Sequence, residues 1–166
     1  MNNTNRLVKM SLLSVLSLSL FVIETKIPNL IPIPGIKLGL ANIVTVWAIY
    51  KFKPSETAMI VLVRIVLGSI FCGTALSLIY SICGASACFI VSMALKKIIP
   101  AEKIWLTSII GAISHNFGQI VAAALILKTP AIFVYIPALL LSGVVSGLFC
   151  GLCAMFTEKT LHKLQY

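Results

Sequence analysis

The chain has 166 residues, 60% of them hydrophobic and 10% charged, with 13 Lys and Arg against 4 Asp and Glu for a formal charge of +9. Soluble domains carry roughly 45–50% apolar and 25% charged residues, so this composition excludes a water-soluble globule and points to an integral membrane protein. Nucleic acid is excluded as a partner too, because the lysines stand in ones and twos at the ends of apolar runs and form no basic stripe.

A membrane-spanning helix needs about 20 apolar residues, with about 17 still workable. Six runs are candidates, and the first covers residues 7–23. It follows the basic start MNNTNRLVK and is followed by ETKIPN, which lacks the small-x-small cleavage pattern of a secretory signal, so it reads as a retained helix. Ser11, Ser14 and Ser17 recur along it at spacing three, a smooth strip suited to a partner membrane protein or to another helix of the same bundle.

The connection that follows, ETKIPNLIPIPGIK at residues 24–37, is stiffened by Pro28, Pro32 and Pro34, and Gly35 permits a turn. Its apolar character suits either a lid folded over the bundle mouth or a stiff connector in the lipid interface. The second run, 38–52, is short, so its helix is expected to begin inside the preceding connection or to stop short of one interface. The third and fourth, 55–71 and 74–95, are separated only by Cys72 and Gly73. The fifth covers 104–127 and the sixth 131–156, the latter with Gly143, Gly147 and Gly151 every four residues, a spacing that lets helices pack closely. Cys150 and Cys153 form a CxxC inside this sixth run; with no second pair and no His beside them they read as small buried side chains, not as a zinc site. No repeat or linker divides the chain, which reads as one domain over 1–166.

Lys and Arg are retained on the cytoplasmic side of membrane proteins. With the N-terminus inside, the cytoplasmic segments hold Arg6, Lys9, Lys51, Lys53, Lys96, Lys97, Lys103, Lys159 and Lys163, while the outer segments hold Lys26, Lys37 and Lys128. This separation predicts an all-α bundle of six transmembrane helices with both termini in the cytoplasm and the protein in the plasma membrane.

Few strongly polar groups fall inside the spans: Asn42, Arg64, His115, Asn116 and Gln119. A charged Arg at a helix centre costs on the order of 2.5–3.5 kcal/mol on insertion scales, so such groups face the bundle interior and commonly mark a ligand or ion pathway. Arg64 sits mid-way along TAMIVLVRIVLGSIF, too deep to reach either interface. The chain has no Asp, and Glu24, Glu56, Glu102 and Glu158 all fall at span ends or in connections, so an anionic ligand group is proposed as its partner. The alternative is that backbone carbonyls and the amide oxygens of Asn116 or Gln119 serve Arg64. His115 and Gln119, four apart, project from one face of the fifth helix with Asn116 beside them, suited to grip a polar or heteroaromatic molecule or to bind helices together. Asn42 lies about 6 Å inside the second helix, and Lys37 guards the same end.

Two stretches, PGIKLGLANI at 34–43 and GAISHNFGQ at 111–119, resemble the signature regions of the small bacterial membrane family labelled Gx transporter or heptaprenyl diphosphate synthase component I. That family is similar in turn to the substrate-binding S components of energy-coupling factor transporters. The resemblance implies six helices, a long first outer loop closing over a ligand, and partners comprising a transmembrane coupling subunit and two ATPases. It carries ligand binding to Lys37, Asn42, His115, Asn116 and Gln119, with Arg64 added from its depth. S components typically show AxxxA in the first helix, where this chain has only the serine strip.

The expected function is thus a substrate-binding membrane subunit for ATP-coupled uptake of a small anionic or heteroaromatic nutrient. The alternative is an accessory membrane component in heptaprenyl diphosphate synthesis. Neither makes the chain catalytic alone: prenyl diphosphate synthases hold Mg²⁺ and diphosphate on aspartate-rich motifs, and this chain has neither an aspartate nor a GxxxxGK[ST] phosphate loop. No cofactor is expected.

Overall fold

The structure, a computed structural model, describes residues 3–26, 39–72 and 75–164. These fold into six α-helices and no strand: α1 Asn3–Lys26, α2 Leu40–Lys51, α3 Pro54–Cys72, α4 Ala75–Leu95, α5 Ile104–Leu127 and α6 Ile136–Leu164. Short 3₁₀ turns, Ala101–Lys103 and Pro130–Tyr135, lead into α5 and α6. Five of the helices are long and apolar enough to cross a membrane. The 12 residues of α2 span only about 18 Å at 1.5 Å each, against a hydrocarbon core of about 30 Å. The shortness legible in the second run is therefore real. Gly39 begins α2 at φ 74°, a left-handed conformation that glycine adopts without a Cβ clash.

The first helix extends beyond its apolar run at both ends, so Glu24, Thr25 and Lys26 belong to α1 and not to the expected connection. The rest of that connection, with its prolines, Gly35 and Lys37, and with it the expected lid or connector, lies outside the described residues.

Consecutive helices run antiparallel, as their contacts show. Ser17 donates to the Ala41 carbonyl at 3.3 Å while Glu24 reaches Gly39, which sets α1 against α2. Thr57 bonds the Ala48 carbonyl at 3.2 Å and Arg64 bonds Asn42, which sets α2 against α3. Val61 and Ile65 pack on Ala85 between α3 and α4. The serine strip thus serves this bundle at Ser17, which is buried, while Ser11 is exposed.

Glycines set the closest approaches. A Cβ on Gly147 would lie 2.6 Å from the Ile109 Cα, and one on Gly151 would lie 2.5 Å from the Trp105 Cα, so α6 rests on α5 along the four-residue glycine spacing. On the other side of α5, a Cβ on Gly118 would lie 2.7 Å from the Cys83 carbonyl oxygen of α4. Helices in lipid gain no hydrophobic drive toward one another, and close backbone contact of this kind supplies the van der Waals attraction that replaces it.

The two ends of the bundle differ. At the lysine-rich end Arg6 pairs with Glu56 at 2.6 Å, Lys51 pairs with Glu158 at 2.5 Å, and Trp47 donates to the same Glu158 at 3.0 Å. Tyr50 meets Thr107 at 2.6 Å and donates to the Ile99 carbonyl at 3.1 Å, tying α2 to α5 and to the α4–α5 connection. The opposite end, where α1, α3 and α5 finish and α2, α4 and α6 begin, holds the main cavity.

Candidate functional site

Arg64 is 7% exposed at the middle of α3 and donates through Nη1 to the Asn42 side-chain oxygen at 3.2 Å. An amide oxygen does serve the guanidinium, but it comes from α2 and not from Asn116 or Gln119, because α2 lies directly against this stretch of α3. A guanidinium has five donors, and Asn42 takes one of them. Arg64 also lines a cavity of about 410 Å³, which falls in the size range of small-molecule sites.

Five of the six residues singled out from the sequence line that cavity: Asn42, Arg64, His115, Asn116 and Gln119. The sixth, Lys37, lies outside the described residues. Helices α2, α3 and α5 bring the five together, although α2 and α5 are separated by more than 50 residues of chain. They do not act alike. Asn116 turns its Nδ2 to the Leu139 carbonyl at 2.8 Å and so ties α5 to α6, the helix-binding role. His115 Nδ1 and the Gln119 side-chain oxygen are buried and have no hydrogen-bond partner among the described residues. A buried polar atom without a partner costs about 1–3 kcal/mol, so a pair of them in one cavity wall is what a site awaiting a ligand would show.

Gly84 of α4 makes room for this pair. A Cβ there would lie 2.8 Å from Gln119 Cγ and 3.0 Å from His115 Nε2. The glycine lets α4 approach while both side chains stay in the cavity wall.

Several lining residues escaped the sequence reading. Glu24 is 7% exposed and lines the same cavity as Arg64, so an acid is present at that depth after all. Its carboxylate accepts the backbone N–H of Gly39 at 2.5 Å and of Leu40 at 3.0 Å, so both oxygens are engaged at the start of α2. No ion pair joins Glu24 to Arg64 among the described residues. The signal for Glu24 was its isolation, since the other three acids stand at the lysine-rich end. From α4 come Ser77, Tyr80 and Ser81, a spacing of three and four that places them on one face. The helical period in LSLIYS could have revealed them.

A family model described as heptaprenyl diphosphate synthase component I matches residues 13–157, nearly the whole chain and both segments that carried the resemblance. Comparison with curated proteins and with solved structures gave no match. The chain belongs to the heptaprenyl diphosphate synthase component I family.

Proposed function

We propose that the chain is a substrate-binding membrane subunit that takes up a small anionic or heteroaromatic molecule from outside the cell, with ATP hydrolysis supplied by partner proteins. The observation that carries this reading is the 410 Å³ cavity lined by Arg64, His115 and Gln119, of which His115 Nδ1 and the Gln119 oxygen have no hydrogen-bond partner among the described residues. In this reading the six helices form one domain in the plasma membrane with both termini cytoplasmic. The cavity end faces out, a placement supported by the lysines, of which Lys51, Lys53, Lys96, Lys97, Lys103 and Lys159 gather at the opposite end.

The roles divide by what each side chain already does. Arg64 meets the anionic part of the ligand, and Asn42 holds the guanidinium in place. His115 and Gln119 supply the direct polar contacts. Asn116 fixes α5 to α6 so that this face stays aligned. Lys37 belongs to the proposed set because it stands two residues before Gly39, a residue of the cavity wall. The carboxylate of Glu24 is bonded to two N–H groups and forms no ion pair with Arg64 among the described residues. Low-dielectric surroundings strengthen a single guanidinium–anion contact well beyond its worth in water.

The test is mass spectrometry of small molecules retained after gentle detergent purification from the native host, beside an Arg64→Ala control. One compound held by the wild type and lost from the control is the expected result. If the chain retains nothing, and neither added vitamins nor prenyl diphosphates bind, the reading fails.

A second reading is favoured by the family match alone: a membrane component that supports a separate catalytic subunit in heptaprenyl diphosphate synthesis. Without an aspartate the chain lacks the carboxylate cluster that hard Mg²⁺ requires, so the chemistry would reside in the partner. Adding the chain to a soluble aspartate-rich partner and following prenyl diphosphate formation distinguishes the two readings.

A further inference from the structure

A second cavity of about 170 Å³ adjoins the first and shares two of its wall residues, Tyr80 and Gln119. Its other walls are apolar, with Ala123 and Leu127 of α5, Ile132 and Tyr135 of the 3₁₀ turn, and Leu139 of α6. Among the described residues no charged side chain lines it. It lies at the same end of the bundle as the mouth of the polar cavity, because α5 finishes at Leu127 and the turn carries the chain directly into α6.

The partition matters more than either chamber alone. Gln119 and Tyr80 line both chambers, so these two side chains stand where the chambers meet. On one side stand Arg64, His115 and the serines of α4. On the other is an apolar space. At about 170 Å³ the apolar space is comparable to an apolar cavity of about 150 Å³ that admits benzene, a six-carbon ring.

We propose that the two chambers are the two ends of one binding site and that its ligand is an amphipathic small molecule. An anionic head is held at Arg64, His115 and Gln119, and a compact apolar end of about six heavy atoms, a ring or a short branched chain, is seated among Ala123, Leu127 and Tyr135. The proposal rests on the binding reading above and narrows the class of ligand within it. A ligand polar on every side would leave the apolar chamber unfilled, and a wholly apolar one would leave Arg64 and His115 without partners.

The probes are acetate and 6-phenylhexanoate, which share a carboxylate, the second bearing a phenyl ring on a five-carbon chain long enough to span the about 12 Å of α5 from His115 to Ala123. Their binding to the full-length chain in detergent is measured by saturation-transfer NMR, in the wild type and in Ala123→Phe and Leu127→Trp, which fill the apolar chamber from two positions. Circular dichroism and elution volume report whether each variant folds. Burying the phenyl ring favours 6-phenylhexanoate over acetate by at least about tenfold in the wild type, and both filled variants lose most of that preference while still binding acetate. Equal affinity for the two probes in the wild type, or a preference unchanged in both folded variants, overturns the two-ended site and leaves the binding reading standing. If neither probe binds the wild type the proposal also falls, and the retained-compound measurement then decides separately whether the binding reading falls with it.

Discussion

The carboxylate of Glu24 shows how one side chain can serve a helix to which it does not belong. The first N–H groups of any helix lack intrahelical partners, and those of Gly39 and Leu40 are met by an acid from the end of α1. Negative charge at a helix N-terminus is favourable in itself. Glu24→Ala leaves both N–H groups in a buried setting and is expected to destabilise the protein by about 2 kcal/mol or more, whereas Glu24→Gln retains one acceptor and costs less. Thermal unfolding of both variants in one detergent checks the order; equal effects would mean that the carboxylate is not the tie it is argued to be. At this scale Arg64 was legible from depth alone, because an arginine near the centre of an apolar run must face inward. Glu24 was not, since ETKIPN looks like the exit from a span, and only the helical continuation to Lys26 turns the acid toward the cavity.

At the scale of elements, α5 is the scaffold on which the cavity depends, gripped by α4 on one side and α6 on the other. Two glycine substitutions separate its packing from its function. Gly147→Leu forces side-chain atoms against the Ile109 backbone, which cannot yield, so α6 must part from α5. A loss of roughly 1–3 kcal/mol or failure to fold is expected, read as lowered melting temperature or lost monodisperse yield. Gly84→Ala instead meets mainly the side chains of Gln119 and His115, which can shift, with the His115 carbonyl oxygen at 3.0 Å the nearest backbone atom. The fold should survive while ligand retention falls at least about tenfold, and retention at the wild-type level would show that this pair does not touch the ligand. Asn116→Leu removes the bond to the Leu139 carbonyl and is expected to cost about 1 kcal/mol, in line with interhelical hydrogen bonds in other bundles. The spacing of Gly143, Gly147 and Gly151 predicted a close face from sequence, but not that α5 would be the helix it meets.

For the whole molecule the relevant asymmetry is between a stapled end and a hollow one. Ion pairs and the Tyr50–Thr107 contact close the lysine-rich end, and the cavity occupies the other. If the hollow end faces out, an impermeant maleimide added to intact cells labels Lys128→Cys and spares Lys103→Cys, both at exposed positions of the connections, with the wild-type cysteines as background. The reverse pattern, or labelling of both from one side, would sink the proposed orientation and with it uptake from outside.

Hydropathy and charge are properties of short stretches, which is why the sequence by itself determined the helical membrane class, the approximate positions of the helices, the shortness of α2 and the lysine-rich end. It also named five residues that line one cavity, because a polar group in an apolar run has few places to point. Which of those residues remain unspent was decided only by tertiary structure. Asn42 and Asn116 are engaged by Arg64 and by Leu139, whereas His115 Nδ1 and the Gln119 oxygen are not, and such pairings depend on which helices become neighbours. The contribution of Glu24 and the apolar chamber beyond Tyr80 likewise arise from contacts between segments far apart in the chain. Those contacts follow from backbone approach at glycines and from the mutual fit of whole helix faces, which no local pattern encodes.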